Sequence, residues 1–179
     1  MKKRVLLSIG VLCLLLIAIL AAFPSPVIGL TKGSLEANAR KTLNVDENWH
    51  AASSVSENVA AVLLYNSDLT EYRYSVYSKK PGFSFGYFPR SSGAKELAEG
   101  LISFDFDNGT AILSLNQENV AKVQRTYDNK ELSPEVYEVN SSEPFVVTLS
   151  SNPNNKEDGT IHIFDKQGKE LSLERAYVI

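Results

Sequence analysis

The sequence predicts a mainly β protein with an N-terminal transmembrane helix, a short and partly helical stalk, and then an antiparallel β-sandwich. Two patterns predict this fold class. Residues 5–23 carry no charge and directly follow three basic residues. From Val59 onward, short apolar runs alternate with period two between turn residues spaced roughly ten residues apart, as in sandwiches and barrels. An immunoglobulin-like sandwich is one arrangement with this spacing.

The apolar N-terminal segment has the length of a membrane span. Its nineteen residues would extend about 28 Å as a helix, close to the roughly 30 Å of a bilayer's hydrocarbon core. Lys2, Lys3 and Arg4 precede it, which places the N-terminus in the cytoplasm. A cleaved secretory signal is the alternative, with Val27-Ile28-Gly29 as the only suitable cleavage triplet, and the domain would then be secreted.

These features predict a single-pass protein of the cell membrane whose C-terminal domain is extracytoplasmic. The stalk contains one weak helical pattern, formed by Leu35, Ala39 and Leu43. The predicted units are a cytoplasmic tip at 1–4, a transmembrane helix at 5–23, a linker and stalk at 24–57, and a β-sandwich domain at 58–179.

Composition argues against several kinds of site and partner. The only cysteine, Cys13, lies in the apolar run, so the outer domain can form no internal disulfide. Beyond the basic tip, fifteen Lys and Arg oppose twenty-one Asp and Glu, and this net charge of −6 disfavours nucleic acid and an anionic lipid surface. The two histidines, His50 and His162, are far apart. We therefore expect no metal site and no cofactor.

The strand predictions rest on side chains that alternate between two faces. Tyr72, Tyr74 and Val76 share one face, and residues 83, 85 and 87 share one face of the next predicted strand. The tripeptide Asp107-Asn108-Gly109 predicts a tight hairpin, and residues 165–168 predict a second one. Further strands are predicted at 102–106, 111–115, 120–127, 135–139, 145–149, 160–164 and 170–178.

The run at residues 60–65 fits two structures. Its apolar residues and the Asn66-Ser67-Asp68 turn that follows favour a strand. The preceding Ser54-x-x-Glu57 would also suit the capping box of a helix. We predict a strand here.

Two short motifs resemble catalytic signatures. The sequence Gly82-Phe83-Ser84-Phe85-Gly86 matches the G-x-S-x-G elbow of serine hydrolases, but no helix-forming sequence follows it. Residues 92–95 match S-x-x-K without its companion motifs and are predicted to form a loop that leads into a turn of helix at Lys95–Ala98. We predict no catalytic residues. A small hydrolase that uses Ser84, with His162 as a base, is the alternative.

Aromatic residues are concentrated between residues 72 and 88, alongside basic ones. Seven of the chain's seventeen aromatic side chains lie there. Alternation predicts that most of them point into the core, whereas exposed rings could stack on sugars or anchor a partner protein. The residues assigned to such a ligand-binding patch are Tyr72, Tyr77, Phe83, Phe88 and Arg90.

The stretch at 72–88 and the hairpin around Asp165-Lys166-Gln167-Gly168 together resemble small uncharacterised membrane-anchored proteins of Gram-positive bacteria. The resemblance implies no activity and transfers no functional residue. The sequence as a whole predicts a non-catalytic binding, sensing or accessory module. Its partner would be another membrane protein or an envelope polymer, and the sequence leaves the oligomeric state open. A purely structural envelope protein is a further alternative.

Overall fold

The computed structural model describes residues 10–15, 17–18, 28–82, 84–95, 100–129, 131–151 and 159–177. Residues 10–15 and 17–18 are helical, and most of the predicted span at 5–23 lies outside the described residues. Within the described residues, no helix is both long enough and apolar enough to cross a membrane.

Two short helical elements and twelve strands follow in the described part of the chain. A 3-10 turn at Lys32–Ser34 leads into helix α1, Leu35–Leu43. The strands are β1 His50–Val55, β2 Val59–Tyr65, β3 Tyr72–Ser78, β4 Phe88–Lys95, β5 Ile102–Phe106, β6 Gly109–Ser114, β7 Val120–Thr126, β8 Glu135–Glu138, β9 Phe145–Ser150, β10 Thr160–Asp165, β11 Glu170–Leu171 and β12 Glu174–Tyr177.

The strands form three four-stranded sheets. The first sheet has the order β1-β2-β3-β4, the middle sheet β12-β5-β6-β9, and the outer sheet β11-β10-β7-β8. Neighbouring strands are antiparallel, except that β12 pairs with β5 in parallel. The prediction of a mainly β protein with antiparallel sheets is therefore confirmed.

The middle sheet contributes to two apolar cores, one on each of its faces. Ala111 and Leu113 of β6 pack with residues of the first sheet. Ile112, between them in sequence, packs instead with Val123 and Ile163 of the outer sheet. This division follows from the alternation of side chains along a strand.

Strand β2 is also buried on both faces. Its residues Val59, Ala61 and Leu63 face the middle sheet, whereas Ala60, Val62 and Leu64 pack beneath α1. A strand covered on both faces reads as a continuous apolar run, which explains its sequence. The strand predicted at 60–65 is confirmed. Ser54 caps no helix, because its hydroxyl lies 2.8 Å from Thr148 Oγ1 of β9.

Helix α1 lies on the first sheet through the pattern predicted from sequence. Leu35 and Ala39 are buried, and Leu43 packs at the margin of the same cluster. Asn44 ends the helix in the left-handed conformation, with φ of 52° and its N–H directed at the Arg40 and Lys41 carbonyls. Within the segment predicted to form a stalk, residues 35–43 and 50–55 thus contribute a helix and a strand that pack on the domain.

Removing one buried helix side chain tests this packing. We expect Leu35→Ala to lower the free energy of unfolding by about 2 kcal/mol, since it leaves a cavity between α1 and β2. Lys41→Ala, at an exposed position of the same helix, should change it by less than about 0.5 kcal/mol. Urea unfolding followed by circular dichroism measures both. Equal effects would contradict the packing of α1 on the sheet.

Three predicted elements differ from the structure. The strand predicted through residues 83–87 is wrong for the described residues 84–87, because Gly82 and Gly86 adopt φ of +82° and +84° and these residues form a loop. The loop predicted at 92–95 is part of β4, which pairs with β3, and most of the helical turn predicted at 95–98 lies outside the described residues. The strand predicted at 170–178 is divided, because β11 pairs with β10 and β12 with β5.

The two hairpins predicted from turn residues are confirmed. Phe106 pairs with Gly109 across the first turn, and Gly109 has φ of +149°. In the second, Phe164 pairs with Glu170, and Gly168 has φ of +82°. Both glycines supply a backbone conformation that other residues rarely adopt.

Candidate binding cleft

Three connections meet at one end of the first sheet: the β1–β2 turn at 56–58, the β3–β4 loop at 79–87 and the β5–β6 turn at 107–108. Backbone and amide hydrogen bonds hold them together. The Lys79 N–H donates to the Asn58 carbonyl at 2.8 Å. The Asn108 side-chain amide donates to the Lys79 carbonyl at 3.0 Å. These hydrogen bonds therefore fix the three connections relative to one another.

A cleft of about 550 Å³ opens at this junction. A neighbouring cavity of about 530 Å³ shares Glu57 and Lys79 with it and extends toward Leu30, Lys32 and Tyr87. The size of the cleft is in the range of small-ligand sites. Its lining residues are Glu57, Asn58, Ser78, Lys79, Lys80, Pro81, Gly82, Ser84, Arg90, Phe106, Asp107 and Asn108.

Three cationic side chains line the cleft. The ammonium of Lys80 lies 4.6 Å from the centre of the Phe88 ring, and that of Lys79 lies 5.9 Å from the centre of the Tyr87 ring. Cation–π contact of this kind favours an ammonium placed over an aromatic face. Arg90 is exposed at the wall of the cleft. The walls can thus donate several charge-assisted hydrogen bonds to an anion.

Two carboxylates and one tyrosine hydroxyl also lie at or beside the cleft. The exposed carboxylates of Glu57 and Asp107 lie on the same walls, where they can accept hydrogen bonds from hydroxyl groups. Burial, and next the charge of Glu57, raise the pKa of Tyr87, so its hydroxyl stays protonated near neutral pH. That hydroxyl donates to the Ser56 carbonyl at 2.6 Å and fixes the β1–β2 turn against the loop.

A β-bulge aims Arg90 at the cleft. Val76 of β3 pairs with Ser91, and the next residue, Tyr77, pairs with Pro89, so Arg90 is the extra residue of β4. Bulges re-aim a side chain and are common on edge strands such as β4. Pro89 also suits an edge position, because it has no N–H to donate to a further strand.

The N-terminal end of the described domain is clamped beside the cleft. The Leu30 N–H donates to the Tyr87 carbonyl at 2.8 Å, and the Tyr87 N–H donates back to Leu30 at 2.9 Å. The Gly29 N–H donates to the Phe85 carbonyl at 2.7 Å. Gly86 allows the two segments to approach, since a Cβ there would lie 2.6 Å from the Leu30 carbonyl oxygen. We call these contacts the N-terminal clamp.

The structure separates the members of the aromatic patch predicted from sequence. Tyr72, Tyr77 and Phe88 are buried, with exposed fractions of 5%, 1% and 5%. Tyr72 packs in the core toward the middle sheet, and Tyr77 packs beneath α1. Arg90 is exposed, and Phe83 lies outside the described residues. These three rings therefore form no exposed stacking surface, and of the four described residues of the predicted patch only Arg90 lines the cleft.

Lys79 and Lys80 are among the basic residues beside the aromatic cluster, but the sequence does not predict that Glu57 and Asn108 lie next to them. The residue types in these segments signal turns. Which turns meet in space depends on the order of strands in the sheets, and local patterns do not encode that order.

The two residues of the hydrolase alternative lie apart in the fold, one beside the first sheet and the other in the outer sheet. Ser84, in the loop beside the first sheet, donates its hydroxyl hydrogen to the Lys80 carbonyl at 2.7 Å. His162 is in β10 of the outer sheet, where Nδ1 lies 2.7 Å from Glu170 Oε1 and Nε2 lies 3.2 Å from Thr126 Oγ1. The structure therefore does not bring His162 to Ser84, because the middle sheet lies between them.

A second polar cluster lies between β7 and β8. Arg125 is buried and donates to both Glu135 carboxylate oxygens, at 2.9 and 2.7 Å. The Tyr127 and Tyr137 hydroxyls donate to the same carboxylate at 2.5 and 3.0 Å. Burial alone would raise the pKa of Glu135, but the hydrogen bonds from Tyr127, Arg125 and Tyr137 hold it below its usual value.

Because the pKa of Glu135 is lowered in the folded protein, the free energy of unfolding depends on pH in the acidic range. A carboxyl with a lowered folded-state pKa stabilises the protein above its unfolded pKa of 4.5, and this stability is lost as the pH falls through the folded value. We expect Glu135→Gln to lower the free energy of unfolding by about 1–2 kcal/mol at pH 7, since the carboxylate is partly exposed. The variant should also lose less of its free energy of unfolding than the unchanged chain as the pH falls. Urea unfolding between pH 7 and pH 3 measures this.

The matched control is Glu138→Gln, at an exposed position of the same strand. We expect it to change the free energy of unfolding by less than about 0.5 kcal/mol at neutral pH. If Glu135→Gln leaves the pH dependence of the free energy of unfolding unchanged, the ionised Glu135 carboxylate does not stabilise the fold.

Comparisons with protein-family models, with curated proteins and with solved structures gave no match at the level of significance applied. The resemblance noted from the sequence therefore stays a prediction, and the function is argued from the site alone.

Proposed function

We propose that the chain is a non-catalytic binding module, anchored in the cell membrane by residues 5–23, with an extracytoplasmic domain that binds an anionic envelope polymer. In this proposal the stacked sheets are a layered form of the β-sandwich predicted from sequence. One observation carries the proposal: three cationic side chains, against two carboxylates, line one cleft of a domain whose overall charge is negative.

The chemistry of the cleft favours a polyol phosphate. Lys79, Lys80 and Arg90 can donate charge-assisted hydrogen bonds to phosphate oxygens. Glu57 and Asp107 can accept hydrogen bonds from hydroxyl groups between the phosphates. A polymer that carries both groups would therefore match both kinds of side chain, whereas a simple polycarboxylate would match only the cations.

Charge reversal in the cleft tests the proposal. The full-length chain, reconstituted in nanodiscs of neutral lipid, is titrated with poly(glycerol phosphate) by calorimetry. We expect the double variant Lys80→Glu, Arg90→Glu to weaken binding at least about tenfold, since each charge-assisted hydrogen bond contributes about 1.5–3 kcal/mol. Polyglutamate should bind more weakly than poly(glycerol phosphate).

The control variant is Lys166→Glu, Lys169→Glu, which makes the same change in net charge on the exposed hairpin of the outer sheet. It should alter affinity by less than about twofold, because exposed charges beyond a Debye length of about 10 Å are screened. Equal losses in both double variants would indicate general repulsion without a site. Absence of binding by the unchanged chain would overturn the proposal.

A further inference from the structure

Two large apolar residues are exposed together at the N-terminal clamp. Ile28 is 78% exposed and Phe85 is 59% exposed. They are partners in a β-bridge, and the Gly29 N–H beside Ile28 donates to the Phe85 carbonyl. Bridge partners lie side by side on a β surface, so the backbone of the clamp fixes this exposed pair.

The covalent chain keeps this pair close to the end of the apolar segment. Four residues, 24–27, separate Phe23 from Ile28. A chain extends at most about 3.6 Å per residue, so Ile28 lies within about 18 Å of the residue that ends the apolar segment. With residues 5–23 in the bilayer, as proposed above, the pair stays within reach of the headgroup layer.

The charged residues near the exposed pair also favour an approach of this end of the domain to the bilayer. Lys32 and Lys79 line the cavity beside the clamp, and Lys80 lies in the adjoining cleft. Together with Arg90 they make four cationic side chains against two carboxylates, Glu57 and Asp107, in the lining of the two cavities, whereas the domain as a whole has a net charge of −6. A bilayer with anionic lipid would attract this basic end and repel the acidic remainder.

We propose that Ile28, Phe85, Lys32, Lys79 and Lys80 form a membrane face that docks on the headgroup layer of the bilayer holding the anchor. The Phe85 ring and the Ile28 side chain enter the interface, and the lysines remain among the lipid phosphates. This inference rests on the proposed anchor. The cleft then opens at headgroup level, which restricts its ligand to groups presented close to the membrane.

Tryptophan quenching in the full-length chain tests the docking. The single tryptophan is replaced by Trp49→Phe, and a new one is introduced by Phe85→Trp, which keeps an aromatic ring in the membrane face. The matched control carries Val136→Trp, at a 51% exposed position on β8 of the outer sheet. Both chains are reconstituted in vesicles whose phosphatidylglycerol or phosphatidylcholine carries brominated acyl chains.

In phosphatidylglycerol vesicles we expect the lipid to quench the Phe85→Trp chain at least about twofold more than the Val136→Trp chain, because an interfacial ring enters the bilayer by roughly 5–10 Å. The difference should be smaller in phosphatidylcholine. Equal quenching of the two chains would overturn the docking. If the difference in quenching between the two chains is the same in both lipids, the lysines do not contribute to docking.

A separate measurement distinguishes failure of the anchor from failure of the docking. The vesicles are washed with alkaline carbonate and floated on a density gradient. A chain that floats but shows equal quenching keeps the anchor and excludes the membrane face. A chain that the wash removes overturns the anchor, and the docking with it.

Discussion

Gly109→Ala is expected to destabilise the fold severely. Gly109 has φ of +149°, and a Cβ there would overlap the Leu149 carbonyl oxygen of β9. The same Cβ would lie 2.9 Å from the Val59 Cγ2 atom and 3.0 Å from Ser150 Cα. Two of these three neighbours are backbone atoms, so relief requires the β6–β9 pairing to shift. We expect a loss of about 4 kcal/mol or more, a large part of a typical domain stability of about 5–15 kcal/mol.

Gly168→Ala provides the matched control for this result. Gly168 also has positive φ, at +82°, and also closes a hairpin, but no heavy atom outside its chain neighbours lies within 4 Å of an added Cβ. Gly168→Ala should therefore lower the free energy of unfolding by only about 1–2 kcal/mol, which is the cost of the left-handed backbone alone. Urea unfolding of the full-length chain in detergent measures both variants. Similar losses would contradict the close packing of the β5–β6 turn against β9.

Gly86→Ala is expected to open the N-terminal clamp. Gly86 has φ of +84°, and a Cβ there would lie 2.6 Å from the Leu30 carbonyl oxygen and 2.9 Å from the Gly29 carbonyl carbon. The segment at 28–30 would have to move away from the loop. We expect amide hydrogen exchange at Gly29 and Leu30 to accelerate about 100-fold, the equivalent of roughly 2.7 kcal/mol of local stability.

The control for the clamp is Gly82→Ala in the same loop. Gly82 has nearly the same φ, +82°, but an added Cβ there meets nothing within 4 Å. Exchange at Gly29 and Leu30 should therefore change by less than about tenfold. Equal acceleration in the two variants would attribute the effect to backbone strain and would contradict the steric role of Gly86.

Local patterns in the sequence predicted those elements whose partners are near in the chain. The spacing of Leu35, Ala39 and Leu43 gave the buried side of α1, and Asp107-Asn108-Gly109 gave the β5–β6 hairpin. The continuous apolar run of β2 was correctly predicted as a strand. Its helix cover was not predicted, because a buried strand shows the same run whatever covers it.

Other features depend on contacts that local patterns do not encode. Alternating aromatic residues at 83, 85 and 87 predicted a strand, but Gly82 and Gly86 have positive φ, and Phe85 and Tyr87 hydrogen-bond to Gly29 and Leu30. The parallel pairing of β12 with β5 joins residues far apart in sequence. The cleft escaped prediction for the same reason, since the bulge that aims Arg90 appears only in the register between β3 and β4.

The proposed function requires that an anionic ligand binds in the cleft where the β1–β2 turn, the β3–β4 loop and the β5–β6 turn meet. The most direct measurement is a titration of the full-length chain, ¹⁵N-labelled in nanodiscs of neutral lipid, with poly(glycerol phosphate), followed by amide chemical shifts. We expect the largest shifts at Lys79, Lys80, Arg90 and Asn108, which line the cleft. Shifts concentrated in the outer sheet, or the absence of any shift, would show that the ligand does not bind in the cleft.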